Sequence, residues 1–79
     1  MPEQFELLPE NERRFGYIAI EKRFINPQQL VEAMQIQIAE ETKNGKHLFI
    51  GEILLDLNYM TLEQIEEVLV ILTNTGKHK

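Results

Sequence analysis

The stretch "FINPQQLVEAM", residues 24–34, is answered 35 positions later by "YMTLEQIEEVL", residues 59–69. Each opens on an aromatic and an apolar residue, passes through a helix-capping residue, Asn26 or Thr61, and continues with apolar residues at helical spacing. Gln29 and Gln64 stand three positions after their caps, as a capping box requires, and Pro27 fits the first helical position, where its missing N–H costs nothing. Two helices therefore start by the same local device.

Working outward, residues 14–37 align with 49–72 without a gap, with identities at Gly16/Gly51, Ile18/Ile53, Gln29/Gln64, Glu32/Glu67 and Ile36/Ile71. Most other pairs keep their chemical type, as in Phe15/Ile50, Ile20/Leu55, Glu21/Asp56, Phe24/Tyr59, Leu30/Ile65, Ala33/Val68 and Met34/Leu69. A duplicated structural unit accounts for this pattern. After each cap the apolar series runs Leu30, Ala33, Met34, Ile38 and Ile65, Val68, Leu69, Leu72, and before each cap a shorter amphipathic stretch carries Phe15, Ile18, Ala19 or Ile50, Ile53, Leu54, Leu57.

The fold class is accordingly all-α: two repeated helical hairpins packed into one four-helix domain over residues 1–79. Repeat 1 covers about 14–37, a connector 38–48, and repeat 2 about 49–72, with tails 1–8 and 75–79 loosely ordered. Helices are predicted from near Pro9 to Lys22, from Pro27 to about Lys43, from about Leu48 to Leu57 and from about Leu62 to Thr75. Asn44-Gly45 supplies the positive φ that ends the second. The expected core is Phe15, Ile18, Leu30, Met34, Ile53, Leu54, Ile65 and Leu69, with Val31, Ile36, Val70 and Ile71 on the helix flanks.

Composition narrows the function. A chain of 79 residues with 43% hydrophobic and 27% charged residues is ordinary for one globular domain, and its apolar runs are too short to span a bilayer. The acidic start "MPEQFELLPENERR" does not read as a secretory signal, so a cytoplasmic location is expected. The net charge of −5 is spread along the chain, and Glu63, Glu66 and Glu67 crowd the fourth helix, which argues against a nucleic-acid partner. There is no Cys, no Ser-His-Asp arrangement and no glycine-rich phosphate loop, so neither catalysis nor a cofactor is expected. His47 and His78 fall in a turn and a tail with no neighbouring ligand cluster in sequence, which gives no metal site.

Arg14-Phe15-Gly16 followed by Ile18, Ala19, Ile20, Ile25, Leu30, Ala33, Met34 and Gln37 resembles the Arg-Leu-Gly...Gln repeat of the N-terminal, MshEN-type domains of type II secretion and type IV pilus assembly ATPases. The resemblance covers residues 14–72, and the second copy, "FIGEILLDLNYMTLEQIEEVLVIL", looks even more like that repeat in its middle. It implies a helical regulatory and docking module, bacterial and without its own ATPase domain here; some members of that family bind cyclic di-GMP across both motifs. Arg14, Gly16 and Gln37 match the ligand-binding pattern in the first copy and Gly51 in the second. Phe49 and Leu72 replace the second Arg and Gln, Arg23 and Asn58 replace the glycine before each corner, and the connector is longer than the family's link.

Each of these residues has two readings. Arg14 suits a guanine edge or face, or an ion pair with Glu10 one turn earlier. Gly16 and Gly51 sit in helices at a cost of about 1 kcal/mol relative to Ala, so something approaches closely, either an opposing helix or a ligand. Gln37 lies on the apolar face, where a polar side chain without a partner costs roughly 1 to 3 kcal/mol. If it merely tolerated a packed face, Gln37→Leu would raise stability by roughly 1 kcal/mol. The missing second Arg and Gln rank a protein-interaction module, with a protein partner, ahead of a cyclic-di-GMP receptor, and homo-oligomer formation stays open.

Overall fold

The computed structural model describes residues 8–77. Four helices follow one another, α1 (Glu10–Glu21), α2 (Pro27–Asn44), α3 (Ile50–Asp56) and α4 (Leu62–Lys77), with no strand among the described residues. The all-α, four-helix architecture is that expected from the repeat.

Both capping boxes form. Asn26 N–H donates to Gln29 Oε1 at 2.9 Å and Gln29 N–H returns to Asn26 Oδ1 at 2.8 Å. Thr61 and Gln64 exchange the same two bonds at 3.0 and 3.1 Å. Each pair satisfies two N–H groups that the helix itself leaves unpaired.

The corners before these caps are also copies. At the end of α1, Phe24 N–H donates to Ala19 O and Arg23 N–H to Ile20 O; at the end of α3, Tyr59 N–H donates to Leu54 O and Asn58 N–H to Leu55 O. This is the paired bonding of a Schellman motif, which needs a left-handed residue after the helix. Arg23 and Asn58 take that conformation, with φ of 67° and 65°. Glycine suits such positions better than any L residue, because it has no Cβ to crowd the left-handed backbone.

The packing crosses between the repeats: α2 lies against α3 and α1 against α4, while α1 also meets α3. Each repeat is thus an open corner whose helices are covered mainly by the other copy. Phe15, Leu30, Ile50, Leu54 and Val68 are fully buried at the centre, with Ala19, Ala33, Met34, Ile53 and Ile65 around them and Ile25 and Met60 closing the corners. Equivalent glutamates reinforce the exchange: Glu67 pairs with Lys22 at 3.0 Å, and Glu32 accepts from Tyr59 Oη at 2.7 Å, each reaching the corner of the other repeat.

Four expectations change. Leu69 is 38% exposed and Val68 takes the central place, while Ile18 is only half-buried. Met34, the counterpart of Leu69, is buried and shares a recess with Leu8 and His47. Leu8 is itself 4% exposed and belongs to the core; residues 1–7 lie outside the described part. Helix α2, by contrast, ends at Asn44 as expected, with Gly45 at φ 65° as the left-handed cap and a joint of residues 45–49 before α3. Helix α4 continues through Lys77, into the expected tail, and residues 78–79 are outside the described part.

Candidate functional site

Helix α1 begins in register to place Glu12 inward, and α2 reaches the same point with Gln37 about three turns into its length. The two side chains are 7% and 4% exposed. Gln37 Nε2 donates to Glu12 Oε1 and to Leu48 O, both at 2.7 Å, so its two N–H groups are both used. Glu12 Oε1 also accepts from Ile50 N–H at 3.1 Å. Phe49, the residue capping α3, makes no side-chain cap bond, so the carboxylate of α1 serves as the acceptor at the start of α3. A negative charge at a helix N-terminus is favourable electrostatically as well.

The second oxygen of Glu12 meets His47. His47 Nε2 lies 2.6 Å from Glu12 Oε2, and His47 Nδ1 bonds to Glu41 Oε2 on the other side of the ring. The imidazole is partly exposed and its pKa is raised above the ordinary 6.5, chiefly by the bond to Glu41, then by that to Glu12, against a smaller opposing effect of desolvation. The arrangement is not that of a metal centre: the two carboxylates occupy opposite ring nitrogens, and among the described residues no group of three ligands is placed to share one ion. The two carboxylates that His47 meets lie 35 and 6 positions away in sequence, which is why neither stands out beside it there. His78 is outside the described residues.

The other sequence-chosen residues do not assemble with Gln37 into an open polar site. Gly16 faces the end of Leu30: a Cβ there would stand 2.7 Å from Leu30 Cδ2. Gly51 faces rings, with a Cβ position 2.7 Å from Phe49 Cε2 and 3.0 Å from Phe15 Cζ. Phe49 and Phe15 pack edge to face, 5.3 Å between centroids and 77° between planes. The close approach that each glycine permits is therefore made by a side chain of this protein. Arg14 is half-buried on α1 and forms no ion pair with Glu10 or any other described residue.

Glu12 was the functional-looking residue that sequence reasoning missed. In isolation it is one more acidic group in a first helical turn. Carrying the repeat alignment two positions further, however, sets Glu12 opposite His47, an acid and a base at equivalent places.

Beside the network lies a recess of about 230 Å³ lined by Leu8, Pro9, Met34, Gln37, Ile38, Glu41 and His47. Helix α4 carries the two most exposed of the large apolar side chains, Leu62 and Val70 at 57% each, together with Leu69. No helix among the described residues is long and apolar enough to cross a membrane. Compared with protein-family models, with curated proteins and with solved structures, the chain has no significant match.

Proposed function

We propose that this chain is a non-enzymatic helical interaction module that receives a basic, amphipathic segment of a partner protein on the outer face of α4. The observation that carries the reading is the strip formed by Leu62, Leu69 and Val70, which fall at i, i+7 and i+8 and so share one side of the helix. Glu66 lies within the strip and Glu63 at its edge; both are exposed, and neither forms an ion pair among the described residues. A partner matching this face sets apolar side chains against Leu62, Leu69 and Val70 and Lys or Arg against the two carboxylates. A second copy fits less well, because each chain carries a net charge of −5 and the strip presents only carboxylates as its charged groups. The resemblance to the docking domains of secretion and pilus ATPases supports the same class of function.

Cyclic di-GMP is the competing ligand implied by that resemblance. Of the four residues that would serve it, Gln37, Gly16 and Gly51 already engage Glu12, Leu48, Leu30, Phe49 and Phe15. Only Arg14 is left without a described partner.

Amide chemical shifts of the protein, titrated in parallel with cyclic di-GMP and with two 18-residue helical peptides of one Leu pattern, separate these readings. One peptide carries Lys at its polar positions and the other Glu. The expected result is perturbation of Leu62, Glu66, Leu69, Val70 and Thr73 by the Lys peptide alone, weakened by salt and abolished by Leu62→Glu with Val70→Glu. Perturbation around Arg14 and Gln37 by the nucleotide at low micromolar concentration would overturn the interaction reading. Equal binding of both peptides would overturn the basic chemistry assigned to the partner, and a dimer lost on Val70→Glu would assign the face to self-association.

A further inference from the structure

The recess beside the polar network has one wall made of a titratable bridge. His47 and Glu41 both line it, together with the apolar side chains of Leu8, Met34 and Ile38. Glu41 is anchored on α2 and Glu12 on α1, and His47, in the short joint before α3, bonds both. A neutral imidazole has one N–H and one lone pair, so it can donate to only one of two carboxylates, whereas the imidazolium donates to both. A carboxylate oxygen on each ring nitrogen matches the two donors of the imidazolium.

We infer that His47 is a proton-operated latch on this recess: as the imidazolium it ties Glu41 to Glu12 across the rim, and on losing a proton to solvent it keeps Glu12 and releases Glu41. The choice of which bond survives follows from burial. Glu12 Oε2 has His47 as its bonded partner and the side chain is almost wholly enclosed, so losing that bond strands a buried carboxylate oxygen. Glu41 is exposed, and water replaces His47 at no such cost. The proton that leaves is therefore the one on Nδ1, and the remaining tautomer carries its hydrogen on Nε2. The groups facing the ring are Glu12 from α1 and Glu41 from α2; α3 presents the uncharged Ile50 N–H, which is bound to the other oxygen of Glu12. Both charged neighbours favour the protonated ring, so the latch opens in the range above the ordinary histidine midpoint of 6.5. Opening frees the rim beside Met34 and Ile38 while leaving the Glu12 contacts to Gln37 and Ile50 in place. The inference does not depend on the proposed α4 partner.

The test is a proton-carbon NMR titration of the whole chain, following the His47 imidazole and the Met34 and Ile38 methyl groups, with His47→Gln to assign the ring signal. The expected outcome is a His47 midpoint above 6.5, methyl shifts that move with that same midpoint, and an Ile50 amide that does not. Glu41→Ala, an exposed substitution that removes the acceptor on Nδ1 and leaves Glu12 untouched, should lower the midpoint and hold the methyl shifts at their high-pH positions already at pH 6. A His47 midpoint at or below 6.5, methyl groups that ignore it, or a Glu41→Ala protein whose methyl shifts match the wild type at pH 6 would each overturn the latch.

Discussion

Gln37 on α2 and Glu12 on α1, 25 positions apart, are joined by a 2.7 Å hydrogen bond inside the fold. Because Gln37 also donates to Leu48 O and Glu12 also accepts from Ile50 N–H, this one pair fastens α1, α2, the joint and the start of α3. The amide that stands out from the apolar series is thus a structural tie, and the partner it needs is supplied by the protein.

That assignment reverses the sign of a substitution. On a merely tolerant face Gln37→Leu would stabilise; here it removes a donor from the buried Glu12 and from Leu48 O, and the expected loss is about 1 to 3 kcal/mol. Glu12→Ala should cost more, because Gln37, Ile50 and His47 all lose their acceptor at once. Urea denaturation of the two variants checks both the sign and the order. A Gln37→Leu protein more stable than the wild type would show that the network contributes nothing.

The two corners make a second prediction. Arg23 holds a left-handed backbone that disfavours L side chains by about 1 to 2 kcal/mol, while glycine adds unfolded-state entropy of about 0.4 to 1 kcal/mol in the other direction. Arg23→Gly should therefore stabilise by roughly 0.5 to 1 kcal/mol, a rise in Tm of about 2 to 8 °C for a domain of this size. Asn58→Gly should gain less, since asparagine tolerates this conformation better than arginine. Thermal unfolding followed by circular dichroism reads both; a lower Tm for Arg23→Gly would contradict the strain assigned to it.

How far the sequence was readable follows the range of each interaction. The capping boxes and corner residues act within a few positions, so Asn26 with Gln29 and Thr61 with Gln64 announce themselves. The core was readable where the helical period and the repeat agree, as at Leu30 and Ile65. It failed at Leu69 because Ile65, Val68 and Leu69 all satisfy the period, and what decides between the last two is the packing of α4 on α1 and α3, which lie outside its own sequence. The Glu12 to His47 contact was hidden for the same reason, since neither residue has its partner on its own helix.

Gly16 tests the packing between α1 and α2. Alanine would improve helix propensity by about 1 kcal/mol, but its Cβ would stand 2.7 Å from Leu30 Cδ2, and Leu30 is fully enclosed. Overpacking of a closed core costs about 1 to 3 kcal/mol, so Gly16→Ala should lose about 1 kcal/mol net. Combining it with Leu30→Ala should cost less than the two single changes added together, because the cavity left by one accepts the methyl of the other. Strict additivity in a denaturation cycle would mean that the two sites do not meet.

His47 gives the fold a pH dependence whose direction can be worked out. Its pKa is raised in the folded chain above the 6.5 of the unfolded chain, mainly through Glu41 and then Glu12. Between those two values the native state binds more protons than the unfolded state, so the free energy of unfolding must fall as pH rises. Below pH 6.5 both states hold the proton and the contribution is complete; above the folded midpoint both have lost it and the contribution is gone. Stability measured by urea at closely spaced pH values should decline upward from about pH 6.5, and His47→Gln should flatten the curve over that interval alone. A wild-type curve that rises there, or a His47→Gln curve of unchanged slope, would mean that the imidazole is not held between Glu12 and Glu41 in solution.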